Sequence, residues 1–293
     1  MVEHKIFHSL FIVFIICLSL FVAPLQAADV AESKINLFES LQNRLVRDGF
    51  DKSKIAKIYN NRQVFFNPKG IVPFVHHKES VLNYDQFTSE RSIQKAKKYV
   101  KTYKTELLSA EKTYRVDKNI IVAIILVETR LGLILGKRAL INTLSTMASL
   151  SENRVRETLW EQISSSSTIK KEKFEAWSKR KSKWAYAELK AFLKHTDQEK
   201  INPVNVYGSY AGAMGIAQFM PSNIIAYAKD GNHDGRIDLF NHADAIASIG
   251  SYLKHFGWKP NVDKKKAFKV LYHYNHSNYY VNTILKVAEL LKG

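Results

Sequence analysis

The sequence contains a single cysteine, Cys17, in 293 residues. This cysteine lies inside an apolar run from Leu10 to Ala23, which follows the basic residue Lys5 and precedes several small residues. Such a three-part layout is typical of a secretory signal, and the run is too short to span a bilayer comfortably. We therefore expect residues 1–27 to be cleaved after Ala27 and the protein to be exported to the periplasm.

Residues 28–293 lack cysteine altogether, which excludes a disulfide in the mature chain. Cys17 is preceded by large apolar residues, not by the small residue that a lipoprotein signal needs, so we expect no lipid anchor. Apolar residues make up 46% of the sequence. A chain of this length and composition can form one large core without covalent support.

Long alternations of apolar and polar residues, the pattern of half-buried strands, are also missing. Apolar residues follow helical spacing over 35–46 and 89–115, and a further helix is predicted to begin at Asp51. The Asn-Pro-Lys-Gly sequence at 67–70 predicts a turn, and 71–84 predicts an irregular segment. The predicted fold class is mainly α with little β structure.

Acidic residues are few relative to basic ones: 27 Asp and Glu stand against 44 Lys and Arg, a formal net charge of +17. An excess of this size indicates a polyanionic partner. An exported protein meets cell-wall polymers and anionic membrane surfaces, so we expect no nucleic-acid partner. The alternative is that the charge belongs only to a solvated surface.

A dense part of this positive charge lies in a segment at about 151–200, which we interpret as a basic insert. Four consecutive serines at 164–167 predict a flexible joint within it. Phe174, Trp177 and Trp184 are set among lysines and arginines. These aromatics could form a face that binds sugars or an acidic polymer. The commoner explanation, which we favour, is an amphipathic helix whose aromatics face the core.

Glu128 ends an apolar run that extends from Ile120 to Val127. Asp117 is predicted to cap this helix at its start, and Gly132 or Gly136 to stop it in a left-handed conformation. Because the apolar residues cover every face, the helix is predicted to be buried. A carboxyl group at its end would be partly desolvated, which favours the protonated form that a general acid needs. The alternative is a structural ion pair with the arginine two positions later or with a distant lysine.

A second motif extends from Gly208 to Ser222 and is rich in glycine and alanine. Small residues allow a backbone or a bulky ligand to approach closely. Within the motif Gln218 offers a donor and an acceptor, while Phe219 and Met220 offer apolar contacts. Tight helix packing is the alternative, but the length and composition of the motif favour a binding role.

A third motif begins at Asp230 and matches the first nine positions of a calcium-binding EF-hand loop. The twelfth position is Asn241 instead of the usual bidentate glutamate, which would weaken binding unless Asp244 completes the shell. A metal-free turn rich in Asp and Asn is the alternative. The candidate ligands are the side chains of Asp230, Asn232, Asp234 and Asp244 and the backbone carbonyl of Arg236.

Taken together, Val127–Gly132, the Gly208–Ser222 motif, the Asp230 loop and the later pair Tyr274–Asn275 resemble the lytic transglycosylases of the B type, a family of glycoside hydrolases. Their order along the chain matches the family as well. The two central motifs are specific, whereas the flanking residues would not identify the family alone. The resemblance covers nearly all of residues 28–293.

The resemblance implies a lysozyme-like helical fold in which an N-terminal helical lobe precedes a catalytic core at 116–293. It implies cleavage of the β-1,4 bond between N-acetylmuramic acid and N-acetylglucosamine in peptidoglycan glycan strands, leaving a 1,6-anhydro end. Glu128 falls on the family's catalytic acid and base, no cofactor is implied for catalysis, and calcium is implied to be structural. The implied substrate-binding residues are Ser209, Tyr210, Gln218, Phe219, Met220, Tyr274, Asn275 and Tyr280.

An ordinary glycosidase needs a second carboxylate as nucleophile or as base, and neither central motif contains one. One carboxylate suffices if the substrate's N-acetyl oxygen supports the anomeric carbon and its C6 hydroxyl attacks after Glu128 has switched from acid to base. Leu131 departs from the family, which commonly has an aromatic there. Two alternatives are a catalytically weak peptidoglycan-binding scaffold and a hydrolytic muramidase. We expect a monomer, with other cell-wall enzymes as candidate partners.

Overall fold

The structure is a computed structural model that describes residues 36–71, 83–164 and 169–293. The predicted signal at 1–27 and most of the serine run at 164–167 lie outside these residues, as does most of the segment predicted to be irregular. Within the described ranges, no helix is long and apolar enough to cross a membrane.

Most of the described chain is helical, and its one sheet is an antiparallel pair of two-residue strands. This architecture confirms the predicted fold class. Short 3-10 helices occupy Asp85–Phe87 and Pro203–Asn205. The principal elements in chain order are α1 (Glu39–Arg47), α2 (Lys52–Tyr59), α3 (Glu90–Thr102), α4 (Lys104–Tyr114), α5 (Lys118–Thr129), β1 (Arg138–Ala139), α6 (Leu140–Ser149), α7 (Asn153–Ile163), α8 (Lys171–Gln198), β2 (Tyr207–Gly208), α9 (Pro221–Tyr227), α10 (His242–His255), α11 (Lys264–Tyr274) and α12 (Asn278–Leu290).

The predicted helix starts at Asp51 and Asp117 are confirmed. The Asp51 side chain accepts the backbone N–H of Lys54 at the start of α2. The Asp117 side chain accepts that of Asn119 at the start of α5. These bonds stabilise the helices because the first N–H groups of a helix have no partner within it.

The turn predicted at 67–70 is wrong, because a helix begins at Pro68. The side chain of Asn67 accepts the backbone N–H of Gly70 at 3.0 Å and so caps this helix. Proline suits the first helical position because it lacks the N–H that would go unpaired there. The Asn-Pro pair marks a helix start in this chain and not a chain reversal.

Helix α5 lies in the core, as its apolar pattern predicts. Every residue from Ile120 to Leu126 is buried, and Val127 and Glu128 are half-buried. The helix packs against α3, α4, α10 and α12. Each large apolar side chain buried in this way stabilises the fold by about 1.5–3 kcal/mol. The C-terminal end of α5 is therefore a firm support for Glu128.

Helix α8 is amphipathic over its 28 residues. Phe174 is buried and Trp177 and Trp184 are half-buried against the core, whereas Lys179 and Arg180 are exposed. These positions confirm that the aromatics of the basic segment face inward. The helix packs against α6 and α9, so the segment interpreted as an insert contributes to the core of the protein.

A buried carboxylate, Glu188, links α8 to the second motif. Its two oxygens accept the backbone N–H of Ser222 at 2.9 Å and the Ser222 hydroxyl at 2.8 Å. Glu188 is only 5% exposed, and these bonds compensate for its lost hydration. The start of α9 is thereby fixed to the long helix.

The strand pair joins the segment after Glu128 to the second motif. Arg138 pairs with Gly208, and Ala139 pairs with Tyr207. Just before β1, Gly136 has a φ of 92°, and a Cβ atom there would lie 2.0 Å from the carbonyl oxygen of Gly208. Only glycine permits this close approach.

We expect Gly136→Ala to lower the free energy of unfolding by about 3 kcal/mol, because steric overlap adds to the strain of a left-handed alanine. Gly49→Ala is the matched control, since Gly49 has the same φ of 92° but a Cβ atom added to it would meet nothing within 4 Å. It should lose only about 1 kcal/mol. Urea unfolding measures the free energy of unfolding of both variants. Equal decreases for the two would contradict the close approach of Gly136 to the Gly208 carbonyl.

Candidate active site

Glu128 lies one residue before the end of α5, and its carboxylate faces α12. The hydroxyl of Tyr280 donates a hydrogen bond to Glu128 Oε1 at 2.8 Å. Hydrogen bonds to a charged acceptor are stronger than neutral ones and fix its orientation. Since the two residues are 152 positions apart, tertiary structure alone creates this pair.

Tyr274 supports Tyr280 from the neighbouring helix. The two rings are stacked, with centroids 6.3 Å apart and planes 10° from parallel. The Tyr274 hydroxyl donates to the carbonyl oxygen of Ala217 at 2.6 Å. Burial, and then the nearby charge of Glu128, raise the pKa of both phenols well above the ordinary value for tyrosine. Both hydroxyls therefore stay protonated and act as donors beside Glu128.

A short connection places Tyr280 in this position. Helix α11 ends at Tyr274, and the half-buried Asn275 is extended, with a φ of −144° and a ψ of 125°. Ser277 then caps α12 by accepting the backbone N–H of Tyr280 at 3.2 Å. Tyr274 and Tyr280 thus lie close together near Glu128, and Asn275 directly follows Tyr274 in the chain.

Thr129 links the end of α5 to the second motif, a role that the sequence alone did not predict. It is fully buried, and its hydroxyl donates to the carbonyl oxygen of Ile216 at 3.1 Å and accepts the N–H of Gly132 at 3.1 Å. A polar residue directly after Glu128 was the only signal in the sequence. The bond to Ile216 holds the two central motifs together.

The chain reverses after α5 through three consecutive residues with positive φ: Arg130 at 50°, Leu131 at 66° and Gly132 at 87°. The prediction that Gly132 or Gly136 stops the helix is wrong, because Arg130 already occupies the left-handed capping position. Non-glycine residues adopt this conformation at a cost and keep it only where the surrounding structure enforces it. Such strain is concentrated at functional sites, which agrees with the position of Glu128.

Arg130 contacts the 3-10 helix that precedes α3. Its guanidinium hydrogen-bonds to the side-chain oxygen of Gln86 and lies 5.3 Å from the centroid of the Phe87 ring. These contacts explain how an arginine is held in a strained backbone conformation. Leu131, beside it, is half-buried and packs against the core.

The second motif folds into a tight loop between β2 and α9. Ser209 Oγ accepts the N–H of Ala213 at 3.1 Å, and Tyr210 is half-buried. Gln218 has a φ of 47°, and its side-chain nitrogen donates to the carbonyl oxygen of Gly215 at 2.9 Å. This bond fixes the orientation of the Gln218 amide.

Phe219, one of the predicted binding residues, lies in the core. It is only 2% exposed, and its ring packs against Tyr252 and Tyr274 in the core. The large apolar ring is more stable there than in a hydrated groove. Phe219 therefore supports the ring of Tyr274. Met220 is half-buried, and its carbonyl oxygen accepts N–H groups of the first turn of α9.

The Asp230 loop folds as a turn in which carboxylates accept backbone N–H groups. Asp230 accepts those of Asp234 and Gly235, and Asp244, only 1% exposed, accepts two further N–H groups of the loop. These bonds explain how the loop keeps its shape. Burial raises the pKa of Asp244 above its ordinary value, although the backbone N–H groups oppose the shift.

The donors of this loop are oxygen atoms, which suit calcium. Among the residues that the structure describes, however, no three Asp, Glu, His or Cys side chains are grouped closely enough to hold a metal ion. The three predicted carboxylates thus do not form a site by themselves. A calcium shell here would need Asn232 and the carbonyl of Arg236 as well.

Comparison with known proteins places the chain in a family. Residues 34–265 match the family described as the transglycosylase SLT domain. The chain is also 34% identical over 173 residues to the membrane-bound lytic murein transglycosylase B of Escherichia coli (strain K12). That match covers 59% of this chain but only 40% of the relative, so the chain spans less than half of its length.

Solved structures resemble the fold at lower identity. SLT35 of Escherichia coli in complex with calcium is 22% identical, with a TM-score of 0.69 over 88% of this chain and 93% of that one. SltB3 of Pseudomonas aeruginosa in complex with NAG-anhNAM-pentapeptide is 19% identical, with a TM-score of 0.69 over 87% and 80%. Both confirm the predicted helical fold. Since the family match covers most of the sequence, the chain belongs to the transglycosylase SLT domain family.

Proposed function

We propose that the chain is a peptidoglycan lytic transglycosylase that cleaves the β-1,4 bond between N-acetylmuramic acid and N-acetylglucosamine without water. Family membership supports the reaction type, and the ligand bound to SltB3 is a fragment with an anhydro sugar. The observation that carries the proposal is the Glu128–Tyr280 pair at the end of a buried helix.

The reaction requires Glu128 to act twice. It first donates a proton to the glycosidic oxygen as the bond from that oxygen to C1 of the muramic acid breaks, and the substrate's N-acetyl oxygen supports C1. The resulting carboxylate then takes the proton of the C6 hydroxyl as that oxygen bonds to C1, which closes the 1,6-anhydro ring. The Tyr280 hydroxyl stabilises the carboxylate between the two steps.

Neither central motif supplies a second carboxylate for a nucleophile or a water-activating base, which favours attack by the substrate itself. The proposed groove residues are Ser209, Tyr210, Gln218 and Met220 on the second motif and Tyr274, Asn275 and Tyr280 beside Glu128. The fixed amide of Gln218 and the strained reversal at 130–132, which directly follows the end of α5, are features of a preorganised site.

Mass spectrometry of the products tests this proposal directly. Purified sacculi treated with the protein should release muropeptides that end in 1,6-anhydro sugars. A hydrolytic muramidase would release products heavier by one water, and a binding scaffold would release none. Either result would overturn the proposed reaction.

We further propose that the chain is exported, acts in the periplasm on glycan strands as a monomer, and binds calcium for stability only. SLT35 has been solved with calcium, and the Asp230 loop keeps the oxygen donors at the first, third and fifth positions. The loop lies outside the group of residues around Glu128. A calcium ion held by such oxygen ligands would stabilise the fold, and we do not expect it to polarise a substrate.

Calcium should raise the thermal midpoint of unfolding by several degrees, because a ligand of the folded state stabilises it in proportion to the logarithm of its concentration. Asp234→Ala should abolish this shift, while Glu161→Ala, which removes one exposed carboxylate elsewhere, should leave it intact. Differential scanning calorimetry of each protein, once in chelator and once in excess calcium, measures the change in the thermal midpoint. Identical curves for the parent protein would mean that the loop is a metal-free turn.

A further inference from the structure

The segment directly after the strained reversal carries an exposed apolar pair, Leu133 and Ile134. Leu133 is 74% exposed and Ile134 is 57% exposed. In the described ranges, no other leucine, isoleucine, valine, methionine, phenylalanine or tryptophan is exposed to this degree. Apolar side chains scattered singly over a surface need no explanation. Two adjacent ones do if they lie at a site and are held there.

The pair lies beside residues that the proposed reaction uses. The backbone N–H of Ile134 donates to the carbonyl oxygen of Thr129, the residue after Glu128, at 2.9 Å. The side-chain nitrogen of Gln218 lies 3.5 Å from the carbonyl oxygen of Leu135. The backbone that carries the pair therefore contacts the end of α5 on one side and a proposed groove residue on the other.

Two glycines flank the pair, and both are closely packed. At Gly136 a Cβ atom would lie 2.6 Å from the backbone nitrogen of Ser209, another proposed groove residue. At Gly132 it would lie 2.8 Å from Cε1 of His242, whose Nδ1 is hydrogen-bonded to the Tyr99 hydroxyl at 2.8 Å. The pair is thus held in place before a ligand binds, which lowers the entropic cost of binding.

The chemistry of the substrate decides what such a pair can contact. The proposed reaction breaks the bond at C1 of a muramic acid, and that sugar carries the peptide stem of peptidoglycan on its lactyl group. A stem on this sugar must leave the groove close to Glu128. The lactyl unit and the alanine that follows it both end in methyl groups, which fit branched aliphatic side chains. A sugar ring has a flatter face, which an aromatic ring would cover better.

We propose that Leu133 and Ile134 bind the start of the peptide stem on the muramic acid that is cleaved. Methyl groups covered by the pair leave water, which is a favourable transfer. The pair would therefore give the protein a preference for glycan strands that carry stems over strands from which an amidase has removed them. This inference rests on the proposed function and specifies a part of the substrate that the proposed function leaves open.

Isothermal titration calorimetry with soluble glycan strands tests the proposal in the Glu128→Gln background, where strands are bound but not cleaved. At high ionic strength, which screens the charge of the stems, strands with stems should bind about 10-fold more tightly than strands without them. Leu133→Gln should reduce this difference several-fold, and Leu133→Gln together with Ile134→Gln should abolish it. The matched control is Leu108→Gln, which changes a 44% exposed leucine beside the start of α5 and should preserve the difference.

Three results would overturn the proposal. A preference for stems that survives in the double variant would come from groups other than the pair. Equal losses of affinity for both kinds of strand would place the pair against the sugars and not against the stem. Unchanged affinity for both kinds would show that the pair lies outside the groove.

The binding measurement needs no turnover, so it is separate from the test of the proposed reaction. Failure of the parent protein to release anhydro products from sacculi would contradict the proposed reaction but not the stem contact. Loss of the stem preference in the double variant, with normal anhydro products from the parent protein, is the result expected if both proposals hold.

Discussion

Replacing Glu128 with glutamine should lower the rate of glycan cleavage by about 10²-fold or more, because the amide has the size of the carboxyl group but cannot donate or recover a proton. Fold and binding to sacculi should be nearly unchanged, since α5 is held by its buried apolar residues and not by Glu128. Release of anhydro-muropeptides from sacculi measures the rate, and circular dichroism checks the fold.

Glu289→Gln is the control for this substitution, since it makes the same chemical change at an exposed position of α12. It should cleave at the parent rate. Near-normal turnover by Glu128→Gln would remove Glu128 from the mechanism. A sharp loss of sacculus binding would instead make it a binding residue.

Tyr280→Phe should reduce kcat/KM by about 10- to 10²-fold, because a hydrogen bond to a charged group is worth about 1.5–3 kcal/mol. The ring and its stack on Tyr274 remain, so only the bond to Glu128 Oε1 is lost. A donor to a carboxylate favours its ionised form. The variant should therefore keep Glu128 protonated to higher pH, and its pH–rate profile should move in that direction.

Tyr279→Phe supplies the control at the adjacent position, where the side chain is 63% exposed. It should leave both the rate and the pH profile unchanged. If Tyr280→Phe loses stability and activity together with no shift in the pH profile, the tyrosine is structural and its hydroxyl has no role in orienting Glu128.

Local signals in the sequence were sufficient to predict much of the framework. The start of α5 at Asp117 and its burial followed from a capping residue and an apolar pattern, both of which act within a few turns of helix. The inward-facing aromatics of α8 followed in the same way from helical spacing. These features depend on neighbours in the chain, so one sequence contains the information.

The details of the site depended on contacts across the fold. Nothing near Glu128 indicates Tyr280, because their bond joins α5 to α12. The left-handed conformation of Arg130 depends on Gln86 and Phe87, and a glycine two residues later was the stronger local signal. Phe219 turned inward because Tyr252 and Tyr274 offer it a buried position. Each of these outcomes was decided by distant partners.

The distance in sequence between Glu128 and Tyr280 has a consequence for when activity begins. Contacts between remote segments require closure of long loops and form late in folding. Helix α5 can form its local bonds early, but its carboxylate gains the Tyr280 hydroxyl only after α12 has docked, 152 positions further along the chain. A partly folded chain therefore contains Glu128 without its orienting partner, and we expect full activity to appear only after α12 has docked.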